Sequence, residues 1–168
     1  MRFFFKFTLR LIGWKIIGDV PRYEKKYLII VAPHTSSLDF LVGLLVRGSL
    51  GFNSKFLGKK ALFRMPFGWF FRLMGGYPVD RSKNSNLVDQ VVEIYKQHDS
   101  FVVALAPEGT RKNVNNWKTG FYYIALKAKI PLVRVKMDRF KKEVTFYPPF
   151  IVSGDFEKDL PKIKEVYT

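Results

Sequence analysis

The chain has 168 residues, 48% of them hydrophobic, and no cysteine. That length fits one domain with a sizeable core, and the composition excludes disulfides, thiolate-bound zinc and a thiol nucleophile. A balance of 29 Lys plus Arg against 14 Asp plus Glu gives a formal charge of +15, which attracts phosphates of any kind, and with only His34 and His98 the supply of catalytic bases is short.

Residues 1–15 interleave Phe, Leu, Ile and Trp with Arg2, Lys6, Arg10 and Lys15 and offer no small-residue cleavage site, which argues against a signal peptide. Two readings fit: a helix lying in the headgroup plane of a membrane, or an amphipathic helix packed on the core. The apolar runs 28–33, 40–46 and 101–107 fall well short of the ~20 residues that span a bilayer, so no transmembrane helix is expected. Residues 1–20 are assigned to a membrane-association segment and 21–168 to a single domain.

Residues 27–32 form a short apolar run ended by Pro33, which suits a strand buried on both faces. Leu38, Leu41, Val42 and Leu45 then recur at helical spacing, so His34 and Asp39 lie at a strand-to-helix junction. Residues 55–57 read as a second strand and 65–74 as an aromatic helical segment opening at Pro66, ended by Gly75 and Gly76. A short extended piece at 77–79 leads to Asp80 and Arg81. A helix follows, marked by Leu87, Val88, Val91, Val92 and Tyr95, with Ser85 or Asn86 as its cap.

Residues 101–106 are the clearest buried strand and run into Pro107-Glu108-Gly109-Thr110-Arg111. Phe121, Ile124, Ala125 and Ala128 mark another helix, and 132–135 and 144–147 complete the strands. Strands alternating with helices predict an α/β domain with a largely parallel sheet flanked by helices. Ligands collect beyond the carboxyl ends of such strands, where both His34 and Glu108 fall.

His34 and Asp39 place an imidazole and a carboxylate five positions apart, close enough for the carboxylate to fix the ring's tautomer while the other nitrogen accepts a proton. Standing alone, the segment reads more readily as a helix start with polar caps, since His and Asp at this spacing arise often by chance. Residues 107–111 add a flexible Gly, a hydroxyl and a guanidinium that can grip an oxyanion in two places, or else form a strand-ending turn. Residues 75–81 bring a second Arg after a second short strand. Lys55, Lys59 and Lys60 lie between these segments, as anion ligands or as a solvated basic face.

Together the segments resemble the glycerophospholipid acyltransferase superfamily, most closely the lysophosphatidic acid acyltransferases. The first motif, a His, four residues and an Asp, reads His34 to Asp39. The second, an extended segment ending in Asp-Arg, resembles Tyr77-Pro78-Val79-Asp80-Arg81; the third is Pro107-Glu108-Gly109-Thr110-Arg111; the fourth resembles Ile130-Pro131-Leu132-Val133. The resemblance covers about 27–135. It departs at Arg134, where the family often has a second proline, and in the length of the chain, which is short for the family.

The resemblance implies that His34 is a general base oriented by Asp39, with Glu108, Gly109, Thr110, Arg111, Arg81 and Lys59 binding the substrate. It implies acyl transfer from acyl-CoA or acyl carrier protein to the hydroxyl of a lysophospholipid such as 1-acylglycerol 3-phosphate. A lyso-aminolipid is the alternative acceptor. No cofactor or metal is implied, and the place of action is the cytoplasmic side of the cell membrane, held peripherally to an anionic surface. A basic nucleic-acid-binding domain is the rival from another class; it accounts for the charge but leaves the ordered motifs unexplained.

Overall fold

The computed structural model describes every residue except Met1, Thr35, Ser37, 81–86, 110–116 and Thr168. In chain order it contains α1 (Arg2–Leu11), β1 (Lys15–Ile17), β2 (Lys26–Ala32), α2 (Leu38–Leu50), β3 (Ser54–Lys59), a 3-10 turn (Lys60–Phe63) and α3 (Gly68–Leu73). There follow β4 (Gly76–Val79), α4 (Leu87–Gln97), β5 (Phe101–Leu105), α5 (Gly120–Ala128), β6 (Leu132–Asp138), β7 (Glu143–Phe146), α6 (Phe156–Lys164) and a closing 3-10 turn (Glu165–Tyr167).

The strands form one sheet in the order β1-β7-β6-β2-β5-β3-β4. The block β6-β2-β5-β3-β4 is parallel throughout; β7 runs antiparallel to β6 and β1 parallel to β7. This is the expected α/β domain with its largely parallel sheet and an N-terminal helix. The apolar run at β2 is explained by its place between β5 and β6, with Leu28 opposite both Val103 and Leu132. Alternate residues go to opposite faces: Leu28 and Ile30 pack with Val91, Phe121 and Ile163 of α4, α5 and α6, while Ile29 packs with Leu9 of α1 and Val42 and Val46 of α2.

Within residues 1–20 the helix α1 is followed by an edge strand, β1, and by buried Val20. Three residues are too few for periodicity to announce a strand. α1 combines features of both sequence readings: Leu9 is buried, and the Phe5 ring lies so close to Gly48 that a Cβ there would meet it at 2.5 Å, so only glycine admits α1 onto α2. The other side of α1 leaves Phe3 and Leu11 largely exposed. Among the described residues, no helix is long and apolar enough to cross a membrane.

α3 starts later than its sequence pattern suggests. Pro66 has no N–H to give and sits in the preceding turn, and the first helical closure is Gly68 N–H to the Arg64 carbonyl, 2.9 Å. The caps expected at Ser85 or Asn86 lie outside the described residues. α6 has no counterpart in the sequence reading because Pro161 lies inside it and masks its pattern. Asp155 caps it, accepting from the Lys158 N–H at 3.2 Å. The chain then brings Tyr167 back to the sheet, where its hydroxyl donates to the Ile30 carbonyl (2.9 Å) and accepts from the Val135 N–H (3.2 Å), bridging β2 and β6. Burial pushes the Tyr167 phenol well above its ordinary pKa.

Candidate active site

Because β2 and β5 are adjacent and parallel, the loops that follow them leave the sheet at the same edge. That places His34, just past β2, against Glu108, just past β5. The His34 backbone N–H donates to Glu108 Oε2 at 2.9 Å, and the Glu108 side chain is buried.

Asp39 stands in the first turn of α2, where a carboxylate also favours the helix dipole, and is 3% exposed. Its Oδ2 lies 3.5 Å from His34 Nδ1 and accepts from the Ser36 N–H at 2.8 Å. The imidazole contact is long for a hydrogen bond but within ion-pair reach. Ser36 Oγ accepts from the Leu38 N–H at 3.2 Å, which makes this serine a helix cap.

Arg139 was not picked out by any sequence motif. It occupies the turn joining β6 to β7, and since β6 is parallel to β2 this turn lies at the same edge as His34. Its Nε approaches Asp39 Oδ1 at 3.3 Å, so the carboxylate faces the imidazole with one oxygen and a guanidinium with the other. The signal in the sequence is only a cation directly after a strand.

Gly109 has φ +65, a left-handed conformation that favours glycine, and a Cβ there would meet the movable end of the Lys118 side chain. The Lys118 N–H donates to the Pro107 carbonyl at 2.9 Å, drawing this lysine up beside the loop. Of the other residues expected to bind substrate, Thr110, Arg111 and Arg81 lie outside the described residues. Lys59 ends β3 and is exposed; Lys55, on the same strand, lines the cavity.

His34, Asp39, Gly109 and Lys118 share a cavity of about 800 Å³. Away from them the wall is mostly apolar, with Phe40, Gly43 and Leu44 of α2, Phe56 and Leu57 of β3, and Phe121 and Ile124 of α5, interrupted by Arg47, Ser54 and Lys55. A Cβ at Gly43 would meet nothing within 4 Å. Arg47, also on the wall, donates from Nη1 to the Ser54 and Met74 carbonyls (3.0 and 2.9 Å), and burial lowers its pKa. An imidazole whose Nδ1 faces a buried carboxylate therefore stands in a cavity lined for the most part by apolar residues.

Residues 15–138 match the family model described as Acyltransferase. The chain is 33% identical over 131 residues to the 1-acyl-sn-glycerol-3-phosphate acyltransferase of Saccharomyces cerevisiae, covering 72% of this chain and 41% of that one. It is 30% identical over 140 residues to the protein of the same name from Streptococcus pneumoniae, covering 74% and 49%. The chain thus spans less than half the length of these curated relatives. Its fold matches the crystal structure of the 1-acyl-sn-glycerophosphate acyltransferase of Thermotoga maritima with a TM-score of 0.68 at 20% identity, over 98% of this chain and 74% of that one.

Proposed function

The chain belongs to the acyltransferase family, and we propose that it transfers a fatty acyl group from an acyl thioester to the hydroxyl of 1-acylglycerol 3-phosphate or a similar lysophospholipid, with His34 as general base. The observation that carries this reading is Asp39 Oδ2 facing His34 Nδ1. With Nδ1 turned to the carboxylate, Nε2 is the nitrogen left to take a proton. The names of the relatives support the choice of acceptor.

In this mechanism His34 Nε2 removes the acceptor's hydroxyl proton as the oxygen attacks the thioester carbonyl. Asp39 stabilises the imidazolium that forms. The tetrahedral intermediate collapses with release of the thiolate, which takes the proton from the His34 imidazolium and leaves as the free thiol, restoring the base. A thioester is already activated, so no protein nucleophile is needed, in keeping with the capping role of Ser36. The apolar cavity suits an acyl chain. Glu108, Gly109, Thr110, Arg111, Arg81 and Lys59 are assigned to the substrate, the cations to its phosphate. The donor is acyl-CoA or acyl carrier protein, and the exposed aromatic side of α1, with the cations Arg2, Lys6 and Arg10, holds residues 1–20 against an anionic membrane surface. Residues 21–168 form the domain that does the chemistry.

The test is acyl transfer to 1-acylglycerol 3-phosphate from each donor by the native chain and by His34→Ala. Loss of the base is expected to lower turnover by about 10²- to 10⁴-fold with an unchanged circular dichroism spectrum. Near-native turnover in that variant would remove His34 from the mechanism. Mass spectrometry of lyso-lipids and their products in cells with and without the protein identifies the acceptor.

A further inference from the structure

The helical layer that carries α1 and α2 has a third member. The Phe63 ring, at the end of the 3-10 turn, lies against Gly58 and Gly76 on the same face of the sheet as α2, and Arg47 of α2 bonds the Met74 carbonyl at the end of α3. α1 and α3 therefore flank α2 on one side of the molecule. Within this layer the short stretch 62–73 turns Met65 (87% exposed), Phe67 (68%), Trp69 (63%) and Leu73 (74%) outward.

Six residues of the usual core type, Leu62, Met65, Phe67, Trp69, Phe70 and Leu73, are exposed in twelve positions, a density that marks a contact surface. The flanking charge identifies the partner. Residues 59–73 contain Lys59, Lys60, Arg64 and Arg72 and no acidic residue. Arg72 donates to the Phe63 carbonyl at 3.2 Å and lies over the Phe63 ring, while Lys59, Lys60 and Arg64 stand exposed at the rim. Trp and Phe at the level of the headgroups with cations beside them is the chemistry of an anionic lipid surface.

We propose that the turn and helix at 60–73 form a second membrane contact, inserting Phe67, Trp69 and Leu73 into an anionic bilayer on the far side of α2 from α1. Two contacts on either side of α2 fix the orientation of the domain on the lipid plane, where one helix alone leaves it free to roll. The inference rests on the lipid-facing part of the proposed function and not on the chemistry of His34.

The full chain is titrated with vesicles of phosphatidylcholine and phosphatidylglycerol, brominated near the headgroup end of the acyl chains. Its tryptophan quenching is compared with that of Trp69→Phe. A bound chain that loses a clear share of its quenching in Trp69→Phe is the expected result. Binding with identical quenching in the two proteins would overturn the second contact while leaving α1 in place, and absence of binding would overturn both. In parallel, Phe67→Ser/Trp69→Ser/Leu73→Ser is expected to weaken partition into these vesicles at least about tenfold. Its circular dichroism, and its turnover of a short-chain acceptor dissolved as monomer, stay native. An unchanged partition, or a native chain that self-associates through this face in place of binding lipid, would overturn the proposal.

Discussion

Glu108 Oε2 accepts the backbone N–H of His34 at 2.9 Å, across a sequence separation of 74 residues. The bond makes the loop after β5 a support for the loop after β2, so the acid of the third motif holds the backbone of the proposed base. Glu108→Gln keeps an oxygen that can accept this N–H; Glu108→Ala leaves a part-buried donor unpaired, at about 1–3 kcal/mol. Turnover is therefore expected to fall about tenfold or more in the alanine variant and much less in the glutamine variant, as read by kcat and KM measured separately. A rise in acceptor KM of equal size in both, with kcat unchanged, would assign the carboxylate to the substrate alone.

Arg139 approaches the opposite oxygen of Asp39 from that facing the imidazole. Removing it takes one partner from the carboxylate, so Arg139→Ala is expected to lower kcat about tenfold with little change in either KM, since half-exposed charge-assisted contacts are worth about 1 kcal/mol or somewhat more. Lysine should restore part of this, because it keeps the charge but loses the planar fork. Steady-state kinetics on the three proteins decide it, and a KM effect confined to the acceptor would place the guanidinium on the substrate instead.

Gly43 faces open space on the cavity wall. Gly43→Phe is expected to fill part of the apolar volume and to cut turnover of long acyl thioesters at least about tenfold while sparing short ones, as misfit in an apolar pocket is worth about 1–3 kcal/mol. Competition between donors of different chain length measures this. Equal loss at every length would mean that the acyl chain lies elsewhere.

Asp159 ties α6 to the domain, accepting from the Ser153 N–H (2.6 Å), the Ser153 hydroxyl (3.0 Å) and the Tyr122 hydroxyl (2.7 Å). Burial pushes its pKa up, but the Ser153 N–H and the Tyr122 hydroxyl outweigh this and hold it below its ordinary 3.8. A depressed folded pKa means that the unfolded chain binds the proton more readily. The stability from this group is thus complete above pH 3.8 and is lost as pH falls through the lower folded value. Asp159→Asn should cost about 2 kcal/mol near neutral pH and flatten the acid limb of the stability curve, both measurable by denaturant unfolding across pH.

The sequence makes the sheet legible where both faces of a strand are covered: the runs at β2 and β5 contain little but apolar residues, and that alone sets them at the centre. The dyad at the end of β2 is legible too, as is its meeting with Glu108, since adjacent parallel strands release their loops at one edge. β1 is hidden because three residues carry no period, and α6 because Pro161 interrupts its pattern. Arg139 escapes for a different reason. Its contact with Asp39 depends on β6 lying parallel beside β2, which places the turn after β6 at the edge where His34 stands, and no local pattern encodes that pairing.

The hydroxyl of Tyr167 completes a rung that the backbones of β2 and β6 leave open, from the last turn of the chain described. Its partner Ile30 lies only four positions before His34. The 3-10 turn at Glu165–Tyr167 is thus a peg driven into the sheet beneath the proposed base. Removing that hydroxyl, as in Tyr167→Phe, would loosen the strand that aims His34 without touching any residue of the cavity.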